Sequence, residues 1–552
     1  MTFAITPGPL ARAFELAWRR LEESRFAEAL WTRRLDVWTG DAAVQHSIGN
    51  RLGWLDVVAA MQRDLPRLQA VAESMQGNTF TDVVLLGMGG SSLAPEVLRS
   101  VIATGPGYPR FQVLDSIDPD AVRPALAQAP TTLFVLASKS GSTIEMNTLA
   151  AEAERRLRDA GVEPGSHCIA ITDEDTPLHR RAIEQRFRDL FINPADIGGR
   201  FSALSFFGLV PAALMGIDPA PLLARAQAMA ELCRDPDPQR NPGLALGAAM
   251  AAAAAGGRDK LTLIVPDRLS RFTLWIEQLV AESTGKQGKG ILPVAGEPPR
   301  LQHGADRLVV SIEFGDRGDI VPGQDVPTVT LHLPDMASLG AEFFRWEVAT
   351  AAAGFLLDVN PFDEPNVQQA KDATRALLDG YRATERLPLP EPDASINGAR
   401  VFVTGAARAI ANGRMPPPMT ELLRPGDYMA LLAYLPDRDP CAAALERLRS
   451  AVTDASGCAA TLGYGPRYLH STGQLHKGGP DRGVFLIVTA TPTEDLPVPG
   501  EPYSFGVLEM AQAAGDFQSL DKAGRRAVHI HLPARDPELL ERIGSMCLRR
   551  TP

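Results

Sequence analysis

Two hydroxyl-rich loops that follow apolar strands carry the clearest chemical pattern in the chain. The first follows the apolar run 82–87 and contains Gly89, Gly90, Ser91 and Ser92. Glycines let a backbone approach a ligand closely, and free N–H groups with hydroxyls at a helix start suit an anion such as phosphate. The loop lacks the lysine of a Walker A motif and the full dinucleotide pattern. Alone, it is also compatible with a tight turn that binds nothing.

A second loop of the same kind follows the apolar run 131–137. It holds four hydroxyls within six residues, with one lysine among them: Ser138, Lys139, Ser140, Ser142 and Thr143. A plain helix cap needs only one such side chain. If the two strands are parallel neighbours, both loops border one crevice, which would suit a phosphorylated small molecule. The alternative is a serine-rich cap on a solvated turn.

Three further side chains could do acid–base or electrostatic work. Gln278 and Glu282 lie four apart in a largely apolar segment with helical spacing, so they share one helix face. Burial raises the pKa of a glutamate and makes it a better base near neutral pH. Arg200 follows two glycines and leads into an apolar run, where it either stabilises developing negative charge or caps carbonyls structurally. A helical glutamate without such a setting is usually a solvated surface residue.

The elements that must position these side chains alternate between strands and helices. Residues 9–75 have helical spacing, and strands are predicted near 82–88, 111–115, 132–138 and 167–172. A second series has strands near 260–265, 307–313 and 327–332 and helices near 271–284 and 340–357. A third has strands near 400–404, 428–434, 484–489 and 527–532. This alternation predicts an α/β fold with parallel sheets.

Proline-rich breaks at 235–242 and 387–392 divide the chain. We predict an N-terminal helical segment at 1–75, a first α/β domain at 76–234, a second at 243–386 and a C-terminal α/β domain at 393–552.

Composition excludes several classes of protein. A net charge of −11 and a pI of about 5.4 argue against a nucleic-acid binder. The five cysteines are scattered, so neither a disulfide framework nor a zinc site is predicted. No signal peptide is seen, which with the cysteines favours a cytoplasmic protein. The alanine-rich run 245–255 is too short to span a bilayer and is predicted to be a buried helix. No membrane association, metal or cofactor is expected.

Both loops resemble those of the glucose-6-phosphate isomerase family, which is built from sugar-isomerase (SIS) domains. Further matches are the motifs at 198–202, 278–286 and 361–371, so the resemblance spans about residues 40–390. The segment 465–474 resembles the isomerase half of transaldolase/glucose-6-phosphate isomerase fusions. The resemblance implies flavodoxin-like, doubly wound SIS sheets and reversible interconversion of glucose 6-phosphate and fructose 6-phosphate through an enediolate, with a homodimer as a possible assembly.

The resemblance also implies roles for individual residues. Glu282 stands at the base position, Arg200 would stabilise the enediolate and Lys371 would help to open the ring. Gln278 and the loop residues Gly90, Ser91, Ser138, Lys139, Ser140 and Thr143 would bind the substrate. Glu364 departs from the family, which usually has Gln there; seven residues before Lys371, it would lie two turns away on one helical face and would either pair with Lys371 or repel the phosphate.

The ring-opening histidine is out of its usual place in the chain. The family has it between the base and the lysine, where this chain offers only His303, in a loop, and His332, in a strand pattern. A similar His-Ser pattern occurs instead at His470, followed by Gln474. We predict a permuted order in which the C-terminal domain delivers His470 to the site, with Gln474 supporting it; His303 is the alternative. The resemblance implies that Glu145 orients this histidine. His476 and Lys477 either join the site or belong to a solvated turn.

Two classes of function remain open, an isomerase and a non-catalytic SIS-type sugar-phosphate binder. A binder would need the loops but not Glu282, Arg200 and Lys371 together, which favours the enzyme. A dehydrogenase is disfavoured, because the chain has no dinucleotide-binding motif with a ribose-binding acidic residue. Transaldolase activity is not expected, since fewer than about 90 residues precede the first loop and a (β/α)₈ barrel takes about 250. Acceptance of mannose 6-phosphate stays open.

Overall fold

The computed structural model describes residues 2–77, 79–297, 304–315 and 326–548. Contacts divide the chain into two units. Unit 1 comprises Met1–Asp115, Ala125–Thr284 and Lys289–Asp363, and unit 2 comprises Ser116–Pro124, Gly285–Gly288 and Glu364–Pro552. Within these described ranges, unit 1 contains two β-sheets and unit 2 contains one. The domain boundaries predicted from the proline-rich breaks stay predictions.

The N-terminal segment is helical after one short strand, as predicted. Helix α1 buries Phe14, Ala17 and Leu21, which recur at helical spacing and form one apolar stripe. The elements are β1 (Phe3–Thr6), α1 (Ala11–Glu23), α2 (Phe26–Trp31), α3 (Ala42–Gly49), α4 (Val57–Arg63) and α5 (Leu65–Met75).

The first sheet contains the four predicted strands and one more. All its strands are parallel, in the order β3-β2-β4-β5-β6. In chain order this is 2-1-3-4-5, the flavodoxin-like arrangement, whose ligand crevice lies where the order reverses, between β2 and β4. The strands are β2 (Asp82–Gly87), β3 (Arg110–Leu114), β4 (Thr132–Ala137), β5 (Cys168–Thr172) and β6 (Asp189–Ile192).

Further helices lie along the chain between β2 and the start of the second sheet. The predicted alanine-rich helix is α12, whose residues are buried almost throughout. The helices are α6 (Leu93–Val101), α7 (Pro119–Ala125), α8 (Ile144–Asp159), α9 (Pro177–Glu184), α10 (Phe206–Leu214), α11 (Pro219–Leu232) and α12 (Pro242–Ala255).

The second sheet repeats the same winding. Its order is β8-β7-β9-β10-β1, and β1 is antiparallel where the other strands are parallel. The elements are β7 (Lys260–Ile264), α13 (Ser270–Thr284), β8 (Leu292–Val294), β9 (Arg307–Phe314), β10 (Thr328–Leu333) and α14 (Ser338–Leu356). The predicted strands and helices of this series are therefore confirmed, and β1 and β8 are additional.

Unit 2 winds a third sheet in the same order. Strands β14, β13, β15 and β16 are parallel neighbours, and β12 and β11 extend the sheet beyond β16, with β12 antiparallel to both of its neighbours. Its elements are α15 (Val367–Thr384), β11 (Ala394–Ile396), β12 (Ala399–Val403), α16 (Gly405–Ala411), α17 (Met419–Leu422), β13 (Tyr428–Tyr434), α18 (Ala442–Ser456), β14 (Ala459–Tyr464), α19 (Gly473–Gly478), β15 (Gly483–Ala490), α20 (Phe505–Lys522), β16 (Arg526–Leu532) and α21 (Pro537–Leu548).

Three flavodoxin-like windings confirm the predicted α/β class. Within the described ranges, every helix is too short or too polar to serve as a membrane span.

Candidate active site

The two predicted loops leave neighbouring strands at the same edge of the first sheet. Strand β2 ends at Gly87 and β4 ends at Ala137, and these two residues are direct partners in the parallel pairing. The loops 88–92 and 138–143 therefore emerge side by side at the carboxyl ends of the strands, where the strand order reverses. This is the position at which open α/β sheets bind ligands.

The first loop lies directly against the segment that carries Arg200. The loop forms a 3₁₀ turn, Gly89–Ser91. A Cβ on Gly90 would lie 2.0 Å from the carbonyl oxygen of Gly199, so only glycine permits this approach. Ser202 Oγ donates to the same Gly199 oxygen at 2.6 Å. The close approach of Gly90 to Gly199 places the turn with Gly90 and Ser91 beside the turn with Arg200.

In the second loop the hydroxyls are arranged in pairs. Ser138 Oγ and Thr143 Oγ1 lie 2.8 Å apart, and Ser138 Oγ also accepts from the Gly141 N–H at 3.1 Å. Ser140 Oγ and Ser142 Oγ lie 3.0 Å apart. Thr143 precedes the first residue of α8 without capping it through its side chain. The loop therefore presents pre-arranged neutral donors beside an uncapped helix start, a combination that suits a phosphate.

Lys139 is already engaged by protein groups. Its Nζ lies 2.5 Å from Asp173 Oδ2 and donates to the Ala195 carbonyl oxygen at 2.7 Å. Burial raises the pKa of Asp173 above its ordinary value even though Lys139 acts to lower it. The contact between Lys139 and phosphate stays a prediction, and it would compete with this ion pair.

The predicted base and the predicted arginine lie side by side in unit 1. Arg200 and Glu282 are both buried, and Arg200 Nη1 lies 3.5 Å from Glu282 Oε1. Gln278 Nε2 donates to Glu282 Oε2 at 3.1 Å, as their shared helix face on α13 predicts. The Glu282 carboxylate is therefore flanked by a guanidinium and an amide.

Three groups that the sequence reasoning did not assign fix the guanidinium of Arg200. Its Nε donates to Ser283 Oγ at 2.7 Å, and its Nη2 donates to the carbonyl oxygens of Pro361 and Asp363 at 2.8 and 3.0 Å. Ser283 lies in the motif 278–286, and Pro361 and Asp363 lie in the motif 361–371. These two motifs were therefore the only sequence pattern that could have pointed to the partners of Arg200. The planar fork of arginine uses several directions at once, which a lysine could not reproduce.

Glu145 is buried in the first turn of α8, immediately after the second loop. It belongs to unit 1 and His470 to unit 2, so its role in orienting that histidine stays a prediction.

In unit 2, the helix that carries Lys371 begins later than the sequence spacing suggested. Helix α15 starts at Val367 and follows Asn366. Glu364 therefore lies before the helix, and its carbonyl oxygen accepts from the Val367 N–H at 3.3 Å. The expectation that Glu364 and Lys371 share a helical face is wrong, because a turn precedes the helix. Both residues are exposed.

The segment with His470 is tied to two other site segments through Gln474. Its Nε2 donates to the Gly285 carbonyl oxygen at 2.9 Å and to Asn366 Oδ1 at 2.8 Å, and its Oε1 accepts from the Asn366 N–H at 2.8 Å. Gly285 directly follows the helix of Glu282, and Asn366 precedes the helix of Lys371. His470 itself ends the 3₁₀ turn Arg467–His470 and is partly exposed.

The neighbours of Gln474 do not form a solvated turn, so that alternative for His476 and Lys477 is wrong. His476 is buried among the rings of Tyr428, Tyr468 and Phe485, and burial lowers its pKa well below the ordinary value. Lys477 is buried in an ion pair with Asp516.

The two histidines between Glu282 and Lys371 in the chain, His303 and His332, were the other candidates for ring opening. His332 lies in β10, as its strand pattern predicted, and is partly buried with Nδ1 4.0 Å from Glu313 Oε2. His303 lies outside the described residues. Among the described residues, no cluster of three His, Cys, Asp or Glu side chains could hold a metal ion.

Comparisons with known proteins agree with this arrangement. The phosphoglucose isomerase family model matches residues 56–291. The chain is 31% identical to glucose-6-phosphate isomerase of Cyanothece sp. over 369 residues, which cover 57% of this chain and 69% of the relative. It is 30% identical to a probable glucose-6-phosphate isomerase of Haloarcula marismortui over 356 residues, 56% of this chain and 80% of the relative. The chain belongs to the glucose-6-phosphate isomerase family.

Solved structures share the fold of this isomerase family member. A hypothetical protein from Thermus thermophilus matches with a TM-score of 0.58 and 25% identity, covering 68% of this chain and 99% of that one. Glucose-6-phosphate isomerase from Chlamydia trachomatis matches with a TM-score of 0.53 and 21% identity, covering 68% and 87%. The family-model match includes both loops, Arg200 and Glu282 but ends before Lys371 and His470.

Proposed function

We propose that this protein catalyses the reversible isomerisation of glucose 6-phosphate and fructose 6-phosphate through an enediolate. The observation that carries the proposal is the pairing of Glu282 with Arg200, whose turn lies against the first hydroxyl-rich loop. A base, a fixed positive charge and a phosphate-binding crevice are the groups that this reaction needs.

The phosphate is the group that anchors the substrate. Loops 88–92 and 138–143 offer N–H groups and hydroxyls at the edge of the first sheet, with Gly90, Ser91, Ser138, Ser140 and Thr143 as the binding residues. Because these donors are neutral and already arranged by hydrogen bonds within the loop, little reorganisation accompanies binding.

His470 and Lys371 open the ring. A proton moves to the ring oxygen while the hydroxyl on the anomeric carbon loses its proton, which leaves the open-chain carbonyl. A histidine near neutral pH can do both transfers. The hydrogen bonds of Gln474 to Gly285 and Asn366 support this assignment, since Gly285 follows the helix of Glu282 in the chain and Asn366 precedes the helix of Lys371.

Glu282 then moves the proton between the two carbons. Starting from glucose 6-phosphate, its carboxylate takes the proton from C2, the electron pair forms the C1–C2 double bond, and the aldehyde oxygen becomes negative. Arg200 stabilises that negative charge, since its guanidinium stays protonated throughout. A proton then passes from the C2 hydroxyl to the C1 oxygen, and Glu282 delivers a proton to C1, which leaves a ketone at C2. Attack of the C5 hydroxyl on this ketone closes the ring of fructose 6-phosphate.

The non-catalytic binder is the other candidate. The two loops suit it equally well, but it gives no reason for a buried carboxylate beside a buried guanidinium. An isomerase of this kind acts in glycolysis and gluconeogenesis. We also infer a cytoplasmic setting, supported by five free cysteines, and keep the homodimer as a prediction.

A coupled assay tests the proposal. Purified protein, without added metal, is given fructose 6-phosphate, and glucose 6-phosphate is followed through NADP reduction by glucose-6-phosphate dehydrogenase. We expect saturable turnover. Saturable binding of fructose 6-phosphate without any turnover would support the binder instead.

A further inference from the structure

Unit 2 contains a fully buried carboxylate that contacts the chain on both sides of His470. Asp516, on α20, lies with Oδ1 2.5 Å from Lys477 Nζ, and the two side chains are 0% and 1% exposed. Its Oδ2 accepts from Tyr468 Oη at 2.8 Å. Tyr468 comes two residues before His470 and Lys477 comes seven residues after it, so one carboxylate contacts both ends of this segment.

The partners of Asp516 are themselves held in place. Lys477 Nζ also donates to the Gly473 carbonyl oxygen at 3.2 Å, and Tyr434 Oη lies 3.1 Å from Tyr468 Oη. Burial raises the pKa of Tyr468 well above its ordinary value, so the phenol keeps the proton that it donates. Asp516 therefore receives a neutral donor on one oxygen and a cation on the other.

Stability alone does not account for such a pair. Removing two charges from water is costly, and a buried ion pair is often no more stabilising than apolar residues of the same size. The pair does fix geometry, because both anchors are buried and directional while His470 between them is partly exposed. Gln474 lies in the same segment, so the anchored stretch also contacts Gly285 and Asn366.

We propose that Asp516 is a positioning residue for His470: its carboxylate fixes both ends of the segment 468–477 and thereby places the imidazole for ring opening. The inference rests on the proposed function, and within it on His470 as the group that opens the ring. Asp516 itself contacts neither substrate nor reacting atoms.

The experiment compares a substrate that must be opened with one that is already open. Fructose 6-phosphate is mostly cyclic, whereas 5-deoxyfructose 6-phosphate lacks the hydroxyl that closes its ring. For both, exchange of the C1 proton with D₂O is followed by NMR. For Asp516→Asn we expect kcat on the cyclic sugar to fall about 10–100-fold, the loss typical of a displaced catalytic group, with KM nearly unchanged. Exchange of the open-chain analogue should stay within about threefold, because Glu282 lies on another element.

Asp427→Asn is the matched control. Asp427 forms a comparably buried pair with Arg526, 2.6 Å apart, in the same unit. Its carboxylate also accepts from the Arg424 N–H, and both of these partners lie outside the 468–477 segment. We expect a similar loss of thermal stability and an unchanged ratio of the two rates. If Asp516→Asn does not fold, Asp516→Leu combined with Lys477→Met removes both charges together and should show the same selective loss.

Three results would overturn the inference. Asp516→Asn could lower the rates on both sugars equally, it could lower neither rate, or Asp427→Asn could show the same selective loss on the cyclic sugar. Failure of the proposed function looks different, since the wild type would then not isomerise fructose 6-phosphate. If His470→Ala is selective for the cyclic sugar and Asp516→Asn is not, only the positioning role is refuted.

Discussion

Replacing Glu282 with Gln should remove the base and leave the site otherwise in place. The amide has the shape of the carboxylate and can still accept a hydrogen bond from Gln278. Arg200 keeps three further contacts, to Ser283 Oγ at 2.7 Å and to two carbonyl oxygens at 2.8 and 3.0 Å, so it does not depend on Glu282 for its position. Substrate binding should therefore change little.

The size of the loss follows from what is removed. General-base catalysis contributes about 10²–10⁴-fold to a rate. At about 1.36 kcal/mol per factor of ten, this corresponds to about 2.7–5.4 kcal/mol of barrier. The retained Arg200 still stabilises an enediolate, so we expect kcat to fall at least about a hundredfold with KM within about threefold.

The coupled assay with fructose 6-phosphate measures both constants, and circular dichroism confirms the fold. Glu277→Gln is the matched control, because Glu277 is a buried glutamate on the same helix with no assigned role in the chemistry. Its kcat should stay within about threefold of wild type. Near-wild-type turnover in Glu282→Gln would refute the assignment of the base, and an equal loss in Glu277→Gln would point to a general effect on α13.

Three further predictions concern the phosphate, the histidine and pH. The double variant Ser138→Ala, Thr143→Ala removes two neutral hydrogen-bond donors, and each hydrogen bond to a charged group contributes about 1.5–3 kcal/mol. The KM for fructose 6-phosphate should therefore rise, and competitive inhibition by inorganic phosphate should weaken. An unchanged inhibition constant for phosphate would show that the phosphate binds elsewhere. His470→Ala should slow isomerisation of cyclic fructose 6-phosphate while leaving proton exchange of an open-chain analogue nearly unchanged. If both rates fall equally, another group opens the ring. Burial lowers the pKa of His529 to about 3 and of His531 to about 4, so both stay neutral when folded, whereas the unfolded chain binds their protons below about pH 6.5. The free energy of unfolding of unit 2 should therefore fall from pH 6.5 towards 4 by up to about 1.4 kcal/mol per pH unit for each histidine. Urea titrations at pH 7 and 5 would measure this fall, and replacing both histidines with Gln should make the dependence on pH less steep.

The central strands of all three sheets were predictable because their side chains are apolar on both faces. The strands that were missed lie at sheet edges and lack that pattern. Leu292–Val294 is three residues long and contains a proline, and Ala459–Tyr464 is rich in small residues of low strand propensity. Phe3–Thr6 pairs with a strand more than 300 residues away, so no local pattern could reveal its partner.

Within the candidate site, sequence spacing correctly predicted which residues share a helix face when both lie in one helix, but not when a turn precedes the helix. Gln278 and Glu282 share a face because four residues make one helical turn. Glu364 and Lys371 do not, because the helix begins only at Val367. Lys139 appeared available among hydroxyls, yet a carboxylate 34 residues later in the chain pairs with it. Such tertiary partners leave no trace in local sequence.

The most direct test of the account is to incubate the protein with fructose 6-phosphate in D₂O and to follow both sugars by NMR until equilibrium. Proton transfer through an enediolate predicts glucose 6-phosphate that carries deuterium at C2 and fructose 6-phosphate that carries deuterium at C1. The account would be contradicted if no glucose 6-phosphate formed, or if the glucose 6-phosphate kept its proton at C2 after many turnovers.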